Sequence, residues 1–405
     1  MANTLTPTDV YGIVNAMNQE MFGPNATITA INTSTFVAVG EAMLRAGTTN
    51  TLDALSAVIG PNLQFGVRPY NGKFKIILKT PAEWGGIQRK ISYYAKGMQQ
   101  SGNFNTNLAG TQLDDGSSID PWIISKKYPL EINVCGLKTI EYQITVFQKQ
   151  LIQAFTSEAQ FAAFVGAMMT DVANDIESKI EAENRLMILN AIGATYNVGN
   201  ARQAVNLVTA YNAKYSTAET AATLMTTKLK EFMAFFVSRL KGDMALMEER
   251  NELFHIYPAR NDDSGNALQL LRHTPPEARR LVLYEPLFRD EATTVFPSLF
   301  STSELRLENY EGVEYWQNVN EPMKVSITPA QLNTTTGESE AGNAVSLTYV
   351  VGLLFDRDAI SQSVMFESAN STILNPRGLY TNQYWHWANM YKLDQTENMI
   401  LYYLA

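Results

Sequence analysis

The chain has 405 residues, of which 45% are apolar and 18% charged, and it carries a formal net charge of −9. That length suggests two or three domains, and the apolar content suffices for a sizeable core, which excludes a disordered class. The acidic balance argues against a general phosphate-binding surface but leaves room for a local basic patch.

The N-terminal Met1–Leu5 shows no charged n-region and no apolar h-region, so no signal peptide is expected. A first helix is predicted from Pro7, with Thr6 as its cap, Asp9 at the positive end of the dipole, and Val10, Ile13, Val14, Met17 and Met21 on one face. Gly23-Pro24 ends it. Shorter helical patterns follow over 34–46 and 52–59, the latter closed by Gly60-Pro61. Lys73–Leu78 alternates and reads as a strand.

Between Pro81 and Pro121 the chain is rich in Gly, Asn, Ser and Gln, and a second strand is expected over Tyr128–Leu137. So long a patternless stretch is unusual inside a compact domain. Two arrangements fit: a flexible surface loop, or an extended hairpin resting on a neighbour. The second gives Tyr93, Tyr94, Phe104 and Trp122 a partner surface that the stretch itself does not provide. Cys135, the single cysteine, sits in the apolar run Ile132–Leu137 and reads as a buried structural thiol; alone it excludes a disulfide framework within the chain.

The longest helix is predicted over 158–192. Ser157 and Gln160 form a capping box, and Phe161, Phe164, Val165, Met168, Val172, Ile176, Ile180 and Met187 recur at helical steps. At 1.5 Å per residue it runs about 50 Å. Gly193 is its first stop. A second box, Ser216 to Glu219, is expected to open a helix through Leu240 that ends at Lys241-Gly242. Short strands are then expected at 254–257, 280–284, 325–327 and 345–355, with a polar loop over Asn333–Asn343. The chain closes on Asn375-Pro376-Arg377-Gly378-Leu379-Tyr380, followed by Asn382, Tyr384, Trp385, His386 and Trp387; five aromatic residues fall between Tyr380 and Tyr391.

Catalytic and metal-binding patterns fail in turn. Gly66–Phe74 has one residue too many for a phosphate loop and ends on Phe where Ser or Thr holds magnesium. The histidines His255, His273 and His386 have no ligand partner at metal spacing. Asn261–Asn266 is turn-like and lacks the distal Glu of a calcium loop. Arg89-Lys90 beside Tyr93 and Tyr94 is a small basic cluster in an acidic chain, better suited to solvent or a subunit contact than to nucleic acid. No catalytic residues, cofactor or metal are expected, nor a membrane span, since no run of about eighteen apolar residues occurs.

The order of parts resembles the major capsid protein of tailed bacteriophages, the Hong Kong 97-type shell fold, in its phi 29-type short-tailed branch. Three passages carry the resemblance: Phe36–Glu41 with 52–60, Phe161–Met169, and the most specific, Asn375–Trp387 supported by Leu353–Ile360. The resemblance implies an α+β subunit with an N-terminal helical arm over 1–64, an extended loop and flanking strand over 65–127, a peripheral domain with a spine helix over 128–200, an axial domain over 201–374, and a return of 375–405 into the peripheral domain. It implies hexamers and pentamers of an icosahedral shell around double-stranded DNA, assembled in the bacterial host cytoplasm with scaffolding protein and portal as partners. A net-negative chain would keep the shell's interior non-adhesive to that DNA. Asn375 to Tyr380, Asn382, Tyr384 and Trp385 are then family-motif residues, with the aromatics packed against the spine. Tyr93, Tyr94, Phe104 and Trp122 are intersubunit contact candidates. A cellular nanocompartment shell and a cytosolic α/β enzyme with an unrecognised carboxylate site remain the alternatives.

Overall fold

The computed structural model describes residues 7–23, 29–46, 54, 72–78, 87–95, 122, 124, 126–135, 137–149, 158–263, 265–289 and 310–405. The chain divides into two units, each built from three separate segments. The first comprises Met1–Gly86, Cys135–Ile188 and Ile360–Leu393; the second comprises Ile87–Val134, Leu189–Ala359 and Asp394–Ala405.

In the first unit, α1 (Pro7–Phe22) and α2 (Thr33–Ala46) form as their apolar spacing requires. Val10, Val14 and Met17 are buried on α1, and Phe36, Val39 and Met43 on α2. The Asn32 side chain accepts from the Thr35 backbone N–H at 2.9 Å, satisfying one free donor of the first turn. Lys73–Leu78, expected as a strand, is the helix α3. Phe74, Ile77 and Leu78 are buried at i, i+3 and i+4, which only a helix places on one side. Two carboxylates hold its start. Gly72 N–H donates to Glu177 at 2.9 Å, and Phe74 N–H to Glu181 at 3.3 Å. Negative charge at this terminus suits the helix dipole.

Those glutamates belong to α4, the long helix Glu158–Val198. At 1.5 Å per residue it extends about 60 Å. A three-stranded antiparallel sheet, in the order β12–β13–β3, completes the first unit from β3 (Leu137–Phe147), β12 (Ile360–Ser371) and β13 (Tyr380–Leu393). Its core gathers the buried residues of α1 and α2 with Val172, Ile176, Ile180, Trp385 and Trp387. Each such fully buried apolar side chain contributes about 1.5–3 kcal/mol relative to exposure.

The second unit is organised on a mixed five-stranded sheet in the order β4–β14–β11–β5–β6, from β4 (Ala204–Asn206), β5 (Arg279–Tyr284), β6 (Tyr310–Val313), β11 (Tyr349–Asp356) and β14 (Met399–Leu404). The central pairs are antiparallel; β4 and β6 join in parallel at the flanks. β11 is buried at every position after Tyr349, which is why it reads as a continuous apolar run. Helices α5 (Leu207–Tyr215), α6 (Ala221–Met225) and α7 (Leu229–Glu248) also belong here. Phe236 of α7 meets Tyr402 of β14 edge-on at 5.3 Å between ring centroids.

Several local expectations change. Ser216 is not a helix start: it closes α5 in the left-handed conformation, with φ of 53°. Asn206 caps α5 instead, and the box belongs to Thr220 and Thr223 at the start of α6. Phe254–Tyr257 forms no strand. The α4 helix passes through Gly193 rather than stopping there. A Cβ at Gly193 would meet the Pro329 side chain at 3.1 Å, so this glycine serves close packing.

The expected boundaries at 200/201 and 374/375 do not coincide with the two units. β12 belongs to the first unit because it pairs with β13 from Ile360↔Leu393 to Ser371↔Gln383. The tail returns to the first unit only as far as Leu393. Beyond it, β14 is inserted between β11 and β4 in the second unit.

Candidate functional site

The Asn375–Gly378 segment is a side-chain-stabilised turn. Asn375 Oδ1 accepts from the backbone N–H of Arg377 at 3.0 Å and of Gly378 at 3.1 Å. Leu379 N–H returns to the Asn375 carbonyl at 2.8 Å, and Asn375 Nδ2 donates to the Tyr380 hydroxyl at 3.1 Å. Leu379 has φ of 51°, uncommon for a bulky non-glycine residue, and is exposed. Pro376, Arg377 and Gly378 are exposed as well.

β13 then alternates. Thr381, Gln383, Trp385 and Trp387 point into the unit and are buried. Trp385 and Trp387 lie beside Ile140, Tyr142, Ile176 and Ile180, so of the family-motif aromatics Trp385 packs against α4 while Tyr380 and Tyr384 do not. Tyr380, Asn382, Tyr384 and His386 occupy the other face and are half-buried. Their partners on β3 are Phe147, Thr145, Gln143 and Glu141. Phe147 and Tyr380 meet edge-on at 5.9 Å, and Thr145 donates to Asn382 at 2.8 Å. His386 stacks on Tyr384 at 6.4 Å, with Nδ1 3.8 Å from Glu141.

The second surface is the stem of the 96–121 segment. β1 (Ile87–Tyr93) pairs with β2 (Pro129–Cys135). Arg89, Ile91 and Tyr93 face outward and are exposed, Ile91 to 51% and Tyr93 to 59%. Lys90 and Ser92 face inward, where Lys90 meets Asp394 and Glu397 and Ser92 accepts from Arg272 at 2.8 Å. Trp122 and Ile124 are exposed to 84% and 85%. Tyr94 is a correction to the expected contact set. It is 4% exposed, packs with Leu268 and Leu270, and donates its hydroxyl to the Pro258 carbonyl at 2.7 Å. Period-two alternation separates it from Tyr93. Phe104 lies outside the described residues, as does the side chain of Cys135.

The turn at 261–266 is closed by its own backbone and by Asp262, which accepts from Asn266 N–H at 2.8 Å. Among the described residues no group of three or more His, Cys, Asp or Glu side chains is placed to hold a metal ion, and no helix is long and apolar enough to cross a membrane. The start of α3, where a phosphate loop was excluded by spacing, is occupied by the Glu177 and Glu181 carboxylates.

The family model described as the phi29-like phage major capsid protein matches residues 14–403. The chain belongs to that family. This capsid protein is therefore a shell protein of the phage virion, and neither the nanocompartment nor the enzyme alternative has support in the match. Family membership also accords with the expected α+β, Hong Kong 97-type subunit. No curated protein matches. Among solved structures, the capsid protein is similar to a chain in the capsid structure of Staphylococcus phage Andhra, at 9% identity over 83% of this chain and 84% of that one, with a TM-score of 0.49. It is similar to a chain of the cyanophage P-SCSP1u capsid at 12% identity, over 84% and 90%, with a TM-score of 0.42. A third likeness is to the mature capsid of bacteriophage PhiM1, at 8% identity over 83% and 88%, with a TM-score of 0.39. Family assignment stands on the family-model match.

Proposed function

We propose that the capsid protein self-assembles as hexamers and pentamers into an icosahedral shell enclosing a double-stranded DNA genome. The observation that carries this reading is the outward row of the hairpin stem, where Ile91 and Tyr93 are exposed on a two-stranded ribbon too small to be stable alone. In this reading the extended loop lies within 65–127 and crosses to the adjacent subunit. The first unit is the peripheral domain with α4 as its spine, and the sheet-centred part of the second is the axial domain. Tyr93, Phe104 and Trp122 contact neighbours, while Asn375 to Trp385 hold the peripheral domain together. Scaffolding protein and portal are partners of assembly in the host cytoplasm. The protein acts by association, without turnover, and many modest contacts add up by multivalency.

Electron microscopy of the purified chain, alone and with its scaffolding protein, is expected to show rings or shells. Persistent monomers under both conditions would overturn the assembly reading. A double variant, Ile91→Asp with Tyr93→Asp, is expected to stay folded by circular dichroism and to lose assembly. Normal shell yield from that variant would remove the stem from the interface.

A further inference from the structure

A groove of about 320 Å³ in the second unit is lined by Arg202, Lys214, Phe235, Ser238, Arg239 and Asp243, with Gly242 on one wall. It brings residues of α5 and α7 together with the loop before β4. Three of these side chains are cations and one is a carboxylate. The carboxylate is committed internally. Asp243 is 2% exposed, accepts from Arg239 Nε at 2.8 Å and from the Tyr402 hydroxyl at 3.0 Å. Burial pushes its carboxyl up, against the opposing pull of Arg239, the Tyr402 hydroxyl and the Arg202 charge.

Arg202 and Lys214 are exposed, and among the described residues neither has a carboxylate within ion-pair distance. Lys214 Nζ is held over aromatic faces instead, 5.4 Å from the Phe235 ring centroid and 5.5 Å from that of Tyr215. Arg239 engages Asp243 through Nε, and its side chain is 27% exposed. The Ser238 side chain is exposed beside it, and a Cβ at Gly242 would meet nothing within 4 Å, so that wall is open.

We propose that this groove binds a phosphate-bearing anion, with Arg202, Lys214 and Arg239 as its cationic ligands and the Ser238 hydroxyl as a further donor. Guanidinium groups match phosphate oxygens in pairs, and lysine adds a mobile point charge. The volume accommodates an inorganic phosphate or a mononucleotide-sized group. The same chemistry is presented by a free phosphate compound and by the phosphodiester backbone of a nucleic acid. The site is a local exception to an acidic chain whose net charge is −9.

Calorimetric titration of the full chain with inorganic phosphate at low ionic strength tests the site. Arg202→Ala with Lys214→Ala is expected to weaken binding by about tenfold or more, the size of one lost charged hydrogen bond. Lys230→Ala, an exposed cation on α7 outside the groove, is expected to leave it unchanged. Lys214→Gln alone carries the same sign and keeps the test open should the double variant misfold. A second arm adds a single-stranded DNA oligonucleotide as competitor. Displacement of phosphate, with a steep salt dependence lost in the double variant, identifies a phosphodiester source. Phosphate binding without competition identifies a small anion. Both results support the site. Absence of phosphate binding, or equal affinity in the double variant and in Lys230→Ala, overturns it. So does loss of assembly in the double variant when the unmodified chain binds no phosphate, which would give the groove to carboxylates of a neighbouring copy.

Discussion

Lys90 Nζ donates to Asp394 Oδ2 at 2.5 Å and also meets Glu397 Oε1. One cation from the hairpin stem thus holds the turn between β13 and β14, whose residues Asp394–Asn398 are all buried. Arg272 supports the same cluster, with Nη2 3.5 Å from Glu397.

Removing that cation takes one partner from each of two buried carboxylates. The Asp394 and Glu397 side chains are 1% and 11% exposed, against 24% for Lys90. Breaking a buried pair costs about 3–5 kcal/mol, and the part-exposure of Lys90 lowers the expectation for Lys90→Met to about 2–4 kcal/mol. The neighbouring Arg89–Glu131 pair is exposed at both ends, so Arg89→Met is expected to cost far less than Lys90→Met. Denaturant unfolding of the two variants compares them directly; equal losses would show that the inward cluster holds nothing.

Trp385 is 5% exposed in the first unit's core. Its truncation to Ala is expected to cost about 3–5 kcal/mol. Trp385 Nε1 has no hydrogen-bond partner among the described residues. Trp385→Phe removes that unpaired donor along with some area, so its cost should be clearly smaller than that of the Ala variant. Thermal unfolding measures both. Similar losses would mean that the indole ring, not its apolar bulk, is what the site requires.

His255 is buried, with Nε2 2.8 Å from the Leu270 carbonyl and Nδ1 3.1 Å from the Asn398 side chain. Burial lowers its pKa from the ordinary 6.5, and the nearby Arg272 adds to the shift while Glu397 opposes it. The unfolded chain therefore takes up a proton first as pH falls. Its stabilising contribution is complete above 6.5 and is lost as pH drops from there through the folded-state value. Unfolding midpoints measured across that window should fall more steeply for the unmodified chain than for His255→Gln. Parallel slopes would assign the acid sensitivity to other groups.

Gly352 lies on β11 at an irregularity in its pairing with β14. A Cβ there would come within 2.9 Å of the Val282 carbonyl oxygen on β5 and would overlap the Leu283 side chain. Gly352→Ala is expected to destabilise the subunit by about 1–3 kcal/mol through overpacking of a central strand. Soluble yield and unfolding midpoint report it, and an unchanged midpoint would mean that the sheet yields freely at this point.

Legibility in the sequence followed the length of each pattern. The spine helix was readable because its apolar steps persist over many turns, and α1 because Val10, Val14 and Met17 agree with their flanking caps. Lys73–Leu78 was too short to decide. Phe74, Ile76 and Leu78 satisfy a strand, while Phe74, Ile77 and Leu78 satisfy a helix, and Glu177 and Glu181, more than a hundred positions away, settle the matter. The Ser216 box failed because cap chemistry is local and repeats nearby: Thr220 and Thr223 carry the same groups, and the left-handed Ser216 closes α5 instead. The outward face of β1 was half legible. Tyr93 and Tyr94 look equivalent as letters, and only the strand's direction separates an exposed ring from a buried one. The cationic groove was not legible, since Arg202, Lys214 and Arg239 come from three places in the chain.

The strand order also sets a timetable for synthesis. β13 lies between β12 and β3, and β14 between β4 and β11, so in both sheets an inner strand is the last of the sheet to be made. Neither can close while the ribosome is still making residues before Tyr380. Until then β3 lacks its sheet partner and the apolar edge of β11 is bare, a state that favours aggregation and slow, non-local folding. A nascent chain halted before β13 should therefore remain protease-sensitive throughout. Such late closure would keep each subunit from folding, and so from joining its neighbours, until β14 has been made.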